Sequence, residues 1–256
     1  MIIKKDILFT PAGKNRRLHI YLPENYSTGH EMYPVMYFFD GHNLYDNADA
    51  TYGKSWGLAD FLQSWRKDII VVGIECGHEG NERLREYCPY TFRGNFWGGV
   101  LNGTGHQTLH WIVSELKPLI DSSYRTLPQR EETGIAGSSM GGLMALCGAV
   151  CYNDWFSKAA CVSSTISPCM APLRRDIRRS SILEDTRVYL SWGTEEARRP
   201  HPSDPMQSRT AIQNLTIQKD LENRHVTTDL FCQIGGGHNE ASWEKQIPRF
   251  MDFLWQ

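Results

Sequence analysis

The chain has 256 residues, with 27 lysines and arginines against 29 aspartates and glutamates and a formal net charge of -2. This balance excludes the strongly basic surface of a typical nucleic-acid-binding protein. Hydrophobic residues make up 41% and charged residues 22% of the chain, which excludes a disordered protein. Because open α/β sheets often reach this length as one unit, we expect a single domain over residues 1–256.

Short apolar runs alternate with stretches of helical periodicity. The predicted strands cover residues 2–10, 17–22, 35–40, 69–74, 133–138, 158–163, 187–192 and 226–234. The predicted helices cover residues 53–66, 104–124, 140–152, 206–223 and 241–255. Pro118 is expected either to kink the last turn of the second helix or to begin a new turn. This alternation predicts an α/β fold with a mostly parallel central sheet of about eight strands and helices on both faces. Residues 75–103 and 165–185 show neither pattern, and we expect irregular segments there that shape a cleft.

The apolar runs are all short. The longest cover residues 35–39, 69–74 and 143–151, whereas a membrane-spanning helix needs about 18 residues. The first ten residues lack the apolar core of a secretion signal. Seven cysteines occur without a CxxC motif, which favours reduced, buried thiols. We therefore expect a cytoplasmic protein that binds neither a membrane nor nucleic acid.

A G-x-S-x-G motif marks the candidate nucleophile. Gly137-Ser138-Ser139-Met140-Gly141 follows a predicted apolar strand and precedes a predicted apolar helix. A strand, a sharp turn and a helix are the context that a nucleophile elbow requires. Ser139 would then lie at the carboxyl end of a strand, where the positive end of the helix dipole favours developing negative charge. A helix-capping serine in a glycine-rich turn is the alternative interpretation.

A serine hydroxyl needs a base, and in this kind of fold the acid and then the histidine follow the serine along the chain. Three histidines follow Ser139, namely His201, His225 and His238. His238 comes just after a predicted strand, so it is expected at the same edge of the sheet as Ser139. His225 comes before that strand and belongs at the opposite edge. His201 lies in a proline-rich loop and is the weaker alternative.

The acid is expected after the preceding strand, which ends in Gly193-Thr194-Glu195-Glu196. Either glutamate could hold the second nitrogen of the imidazole and stabilise the imidazolium. Asp204 is a third option farther along the same loop. Spacing alone does not choose among these carboxylates.

A tetrahedral oxyanion needs two preorganised N–H donors. The backbone amide of Met140, directly after the candidate nucleophile, is expected to be one of them. The other is expected from the backbone at Gly41 and His42, in the loop after the third predicted strand.

Several segments together resemble the putative esterase family, which includes esterase D, enterochelin esterases, feruloyl and acetyl-xylan esterases and the mycolyltransferase antigen 85. The segments that carry the resemblance are Phe38-Phe39-Asp40-Gly41-His42-Asn43-Leu44, Arg83-Leu84-Arg85-Glu86-Tyr87-Cys88-Pro89, Glu115-Leu116-Lys117-Pro118-Leu119-Ile120-Asp121 with Tyr124-Arg125-Thr126, Ile135-Ala136-Gly137-Ser138-Ser139-Met140-Gly141-Gly142 and Gly237-His238-Asn239-Glu240 with Trp243. The resemblance implies an α/β-hydrolase fold and acyl-ester chemistry. Its Gly-x-x-acid pattern favours Glu196 over Glu195.

The leading hypothesis is a serine carboxylesterase that acts on a small or sugar-linked acyl ester through an acyl-enzyme. Ser139, His238 and Glu196 would be catalytic, and Phe96, Trp97 and Arg83 are the candidate substrate-binding residues. Packing of the loop onto the body accounts equally well for the two aromatic residues. An acyltransferase with the same three residues, or a non-catalytic binding protein on a hydrolase scaffold, are the alternatives.

We expect no cofactor and no metal. The glycines at 235–237 do not continue as a dinucleotide-binding loop, and His106 and His110 lie four residues apart without a third ligand. The expected partner is a small-molecule or carbohydrate ester, and a homo-oligomer is compatible with the sequence.

Overall fold

A computed structural model describes residues 1–94, 99–196 and 204–256. Its strands are β1 (Ile2–Phe9), β2 (Lys14–Tyr21), β3 (Val35–Phe39), β4 (Ile70–Ile74), β5 (Thr91–Gly94), β6 (Gly99–Asn102), β7 (Thr133–Ser138), β8 (Lys158–Val162), β9 (Arg187–Gly193) and β10 (Thr227–Gln233). Eight of them form one sheet in the order β1-β2-β4-β3-β7-β8-β9-β10. β2 pairs antiparallel with β1 and with β4, and the other pairs in this sheet are parallel. The predicted mostly parallel sheet of eight strands is therefore confirmed.

The helices cover both faces of this sheet. They are α1 (Leu58–Ser64), α2 (Glu82–Glu86), α3 (Gly105–Trp111), α4 (Lys117–Ser123), α5 (Met140–Cys151), α6 (Met170–Arg179), α7 (Arg209–Glu222), α8 (Glu240–Trp243) and α9 (Ile247–Leu254). Helices α3 to α7 pack on one face, and α1, α8 and α9 pack on the other. No helix in the described ranges has the length and apolarity that a membrane crossing requires.

The central strands are buried on both faces, as their continuous apolar runs predict. In β3, Val35, Tyr37 and Phe39 belong to the core under α5, whereas Met36 and Phe38 belong to the core under α1 and α9. This alternation follows from the two-residue period of a strand. The sheet is therefore packed between two apolar layers. The loops at the carboxyl ends of its strands all extend from this one buried sheet.

Two predicted helices begin later than expected. The helix predicted over 53–66 begins at Leu58, because Gly53 and Gly57 both have positive φ, at 70° and 62°. The helix predicted over 206–223 is divided by Ser208, which caps α7 after a short 3-10 turn at Pro205–Gln207. Neither break changes the amphipathic spacing on which both predictions depend.

The helix predicted over 104–124 is continuous, but its middle is a π turn at Ile112–Leu116. Proline has no N–H to donate, and its ring collides with the carbonyl of the residue four positions earlier. The wider π turn lies immediately before Pro118, and α4 begins at Lys117, so the proline takes the second position of a new helical segment, which is one of the two outcomes expected for it.

The two stretches expected to be irregular contain short elements. Residues 75–103 include α2 and the β5–β6 hairpin, and residues 165–185 include α6. α6 buries only Leu173 and Ile177, and this apolar stripe is too narrow for its period to stand out in the sequence. The expectation of irregular structure over the whole of these stretches was wrong.

Candidate active site

Ser139 lies on a sharp turn between β7 and α5. Its backbone has φ 58° and ψ -120°, a conformation that L-residues rarely adopt. The Ser139 amide donates to the carbonyl of Val162, and the Ser139 carbonyl accepts from the amides of Leu143 and Thr165. These bonds hold the strained turn to the end of β8 and to the first turn of α5.

Glycines make this turn sterically allowed. A Cβ atom at Gly137 would lie 2.6 Å from the carbonyl carbon of Gly141, which real Cβ atoms do not approach. The strand and the helix can therefore pack this closely only when residue 137 is glycine. A Cβ atom at Gly141 would instead lie 3.0 Å from Cβ of Phe39 on β3.

The structure brings the three predicted catalytic side chains together. His238 Nε2 lies 2.9 Å from Ser139 Oγ, and His238 Nδ1 lies 3.3 Å from Glu196 Oε2. Ser139 follows β7, Glu196 follows β9 and His238 follows β10, so all three lie at the carboxyl edge of the sheet. Thr165 is a further neighbour, with its Oγ1 3.2 Å from Ser139 Oγ.

The other candidate acids and bases lie elsewhere. The Glu195 side chain is exposed, and Asp204 accepts a hydrogen bond from the amide of Met206 at the start of a 3-10 turn. His225 precedes β10 at the opposite edge. His201 lies outside the described residues.

Two hydrogen bonds hold the Glu196 carboxylate on the side away from His238. Its Oε1 accepts hydrogen bonds from Ser163 Oγ at 2.6 Å and from the Gly193 amide at 2.7 Å. Both bonds end on the same carboxylate oxygen, so the other oxygen faces His238. Among Glu195, Glu196 and Asp204, only Glu196 has its carboxylate in contact with the imidazole.

The loop after β3 supplies the second pair of predicted donors. Asp40 adopts a left-handed φ of 58° and precedes a 3-10 turn at Gly41–Asn43. The Asn43 amide donates to the Asp40 carbonyl, and the Leu44 amide donates to the Gly41 carbonyl. Within the described residues, the amides of Gly41 and His42 donate to no protein acceptor. Met140 is the first residue of α5, where a backbone amide has no partner inside its helix.

A polar cavity of about 590 Å³ adjoins Ser139 and His238. Arg83 lines it and forms two hydrogen bonds with Asp40, from Nε at 2.8 Å and from Nη2 at 2.7 Å. Burial alone would raise the pKa of Asp40, but the charge and hydrogen bonds of Arg83 outweigh burial and hold this pKa below its ordinary value. Arg83 is thus both a wall of the cavity and the partner that keeps a buried carboxylate ionised.

Two further titratable side chains line the cavity. Burial lowers the pKa of His42, whose Nε2 lies 2.9 Å from Thr51 Oγ1, so this imidazole is neutral near pH 7. Burial raises the pKa of Glu240, whose Oε1 accepts a hydrogen bond of 3.4 Å from Asn43. Sequence reasoning missed Glu240 as a wall of the site, although it stands in the segment that carries the family resemblance. The candidate substrate-binding residues Phe96 and Trp97 lie outside the described residues.

Known proteins resemble this chain over 64% to 99% of its length. It is 26% identical to the uncharacterized protein YbbA of Bacillus subtilis (strain 168) over 98% of this chain and 97% of that protein. It is 30% identical to Esterase Rv1288 of Mycobacterium tuberculosis (strain ATCC 25618 / H37Rv), over 64% of this chain and only 31% of that longer protein. The crystal structure of an IroE-like serine hydrolase from Shewanella oneidensis superimposes with a TM-score of 0.75 and 22% identity, covering 99% of this chain and 79% of that chain.

At this level of identity, the structural likeness shows that the two proteins share a fold. The family model described as "Putative esterase" matches residues 10–254. This match covers the elbow, the acid, the histidine loop and the turn after β3. The chain therefore belongs to the putative esterase family and has its α/β-hydrolase fold.

Proposed function

We propose that this protein is a serine-dependent carboxylic ester hydrolase that works through an acyl-enzyme. The observation that carries the proposal is the 2.9 Å contact between Ser139 Oγ and His238 Nε2 on a strained elbow, with Glu196 on the other side of the imidazole. A nucleophile in contact with a base, and a base in contact with an orienting carboxylate, are the geometry that acyl transfer requires.

In the first half of the reaction, His238 Nε2 takes the Ser139 proton as Oγ attacks the ester carbonyl carbon. Glu196 keeps the Nδ1 proton of the imidazole directed toward Oε2 and stabilises the imidazolium. The amides of Met140 and of Gly41 or His42 donate to the oxyanion of the tetrahedral intermediate. His238 then gives its proton to the leaving alcohol as the ester bond breaks, and the acyl group remains on Ser139.

In the second half, water takes the place of the alcohol. His238 removes a proton from the water as its oxygen attacks the acyl carbon, and the same amides bind the second oxyanion. Collapse of this intermediate returns the proton to Ser139 Oγ and releases the carboxylic acid. If an alcohol attacks in place of water, the same residues perform an acyl transfer.

The cavity supports a small or sugar-linked acyl ester as the substrate. Its volume of about 590 Å³ is that of a small-molecule site, and its walls include the polar side chains of Arg83, His42, Asn43 and Glu240. We propose Arg83, Phe96 and Trp97 as substrate-binding residues. All seven cysteines have free thiols, which supports the predicted cytoplasmic location because that compartment is reducing.

The test is labelling by a fluorophosphonate followed by intact mass, together with ester turnover. Wild type should gain one label, whereas Ser139→Ala should gain none and lose at least about 10³-fold in kcat, since removal of an activated nucleophile abolishes the covalent route. Ser114→Ala, a serine on the exposed side of the long helical segment, should be labelled like wild type. Turnover that persists in folded Ser139→Ala would contradict the proposal, and ester products formed with an added alcohol would indicate acyl transfer.

A further inference from the structure

Ser163 occupies a constrained position behind the candidate acid. It directly follows β8, has a left-handed φ of 47°, and its amide donates to Ser191 Oγ at 3.2 Å. Its own Oγ lies 2.6 Å from Glu196 Oε1 and 2.9 Å from Trp243 Nε1. The side chain is therefore a bridge between the acid and the indole.

The chemistry of the two partners fixes the direction of both hydrogen bonds. An indole N–H can only donate, and an ionised carboxylate can only accept. The Ser163 hydroxyl must then accept from Trp243 and donate its single proton to Glu196. A hydroxyl that accepts one hydrogen bond becomes a better donor in the next, so the bond to Glu196 is strengthened by the indole.

Trp243 also contacts the candidate base. Its ring lies perpendicular to the His238 imidazole with centroids 5.1 Å apart, and it packs against Trp56 at 5.7 Å. The indole is only 5% exposed, so its orientation is fixed by the core under α1 and α9. One side chain thus limits the movement of the imidazole directly and that of the carboxylate through Ser163.

We propose that Ser163 and Trp243 are positioning residues that orient the Glu196–His238 pair toward Ser139, an inference that rests on the proposed function. A glutamate has one more rotatable bond than an aspartate, so its carboxylate loses more freedom when it is held in place. Ser163 and the Gly193 amide occupy Oε1 and leave Oε2 for His238 Nδ1. Trp243 also lines the cavity beside Ser139, whereas Ser163 does not, so Ser163 gives the cleaner test of positioning.

A double-mutant cycle separates positioning from a general structural role. Ser163→Ala should lower kcat about 10- to 100-fold with KM little changed, the size expected for one hydrogen bond to a charged group. In a Glu196→Ala background, the same substitution should change kcat by less than about twofold, because the carboxylate it orients is gone. Multiplicative losses in the two backgrounds would overturn the proposal.

Two further variants distinguish loss of the Ser163 hydroxyl from a general disturbance of the fold. Ser163→Gly tolerates the left-handed backbone and should lose as much kcat as Ser163→Ala if the hydroxyl is what matters. Ser164→Ala is the matched control, since the neighbouring Ser164 hydroxyl is buried and has no partner in the part of the chain that the structure describes; its kcat should equal that of wild type. Equal losses in Ser164→Ala and Ser163→Ala would also overturn the proposal.

Trp243→Phe removes the indole N–H and keeps an aromatic ring against His238. We expect a loss of about three- to tenfold in kcat, smaller than that of Ser163→Ala, because Ser163 still donates to Glu196. Unchanged kcat in both Trp243→Phe and Ser163→Ala would reject the positioning role. If kcat is unchanged in these two variants but Ser139→Ala abolishes labelling in the same experiments, only the positioning role is rejected and the proposed function stands.

Discussion

Backbone strain is concentrated where the candidate site residues lie. The described non-glycine residues with positive φ are Asp40, Ser139, Ser163 and His225. The first three each follow a parallel strand at its carboxyl end, and each contacts or belongs to the site. Such conformations cost free energy and persist only when surrounding contacts impose them. Here the parallel strands and the close-packed glycines supply those contacts.

Glu240 is a carboxyl group whose environment disfavours its charge. Because burial raises its pKa, its contribution to stability is present below the unfolded value near 4.5 and is lost as pH rises through the folded pKa. At neutral pH the native state therefore bears the cost of ionising a buried carboxyl group, which its own backbone amide and the long hydrogen bond from Asn43 only partly offset. A neutral group of the same shape would avoid that cost.

Glu240→Gln should therefore raise the free energy of unfolding at pH 7.5 by about 1 kcal/mol, which corresponds to about 2–4 °C in Tm for a protein of this size. At pH 4 the two proteins should have nearly the same Tm. Thermal unfolding at both pH values checks this, with Glu244→Gln as a control for an exposed glutamate paired with Lys54. A lower Tm at pH 7.5 would contradict the expectation.

The sequence predicts some site residues better than others for physical reasons. Ser139 and His238 follow from the rule that parallel strands present their carboxyl ends at one edge. Choosing Glu196 over Glu195 needed the family resemblance, because adjacent residues in a turn point in different directions and spacing does not encode the turn. Ser163 and Glu240 were missed because their partners are distant in the chain.

At the scale of elements, the buried strands match their predictions to within one or two residues. Every residue of β3 and β4 is buried, so each strand coincides with a continuous apolar run whose two ends are visible in the sequence. Helix boundaries were less accurate because they depend on local backbone geometry, such as the left-handed φ at Gly57. The β5–β6 hairpin was missed because its short strands carry few apolar residues.

The start of α7 depends on one side chain. Ser208 Oγ accepts a hydrogen bond of 3.1 Å from the amide of Ala211, which would otherwise lack a partner at the helix start. Ser208→Ala should lower the free energy of unfolding by about 1 kcal/mol. Denaturant unfolding measures this, and Ser122→Ala on the exposed side of α4 should leave stability unchanged. Equal stability of Ser208→Ala and wild type would show that the cap contributes nothing.

At the scale of the whole molecule, a polar cluster joins the antiparallel edge of the sheet to its parallel part. Glu75 follows β4 and lies 2.7 Å from Nε2 of His19 on β2, and its other oxygen lies 3.3 Å from His78. Burial opposes ionisation of Glu75, but the hydrogen bonds and charge of these histidines lower its pKa to about 2. The cluster therefore stabilises the fold when Glu75 is ionised.

Because the folded pKa of Glu75 is depressed, its stabilisation is present above the unfolded value of 4.5 and is lost as pH falls toward about 2. Glu75→Gln should lower the free energy of unfolding at pH 7 by about 1–2 kcal/mol, because solvent screens a partly exposed cluster and weakens its contribution. The difference from wild type should shrink between pH 4.5 and 2. Urea unfolding across this range tests it, with the exposed Glu79→Gln as control. A constant difference would show that the glutamate acts through shape and not charge.

The three candidate catalytic residues follow three different strands, and 99 residues separate Ser139 from His238. During synthesis on a ribosome, the elbow emerges long before the histidine loop. If the proposed mechanism holds, a growing chain carries a serine without its base, and this serine stays unreactive toward esters until residue 238 has been made and β10 has joined the sheet. The order of synthesis would thus prevent the nascent chain from hydrolysing esters before it has folded.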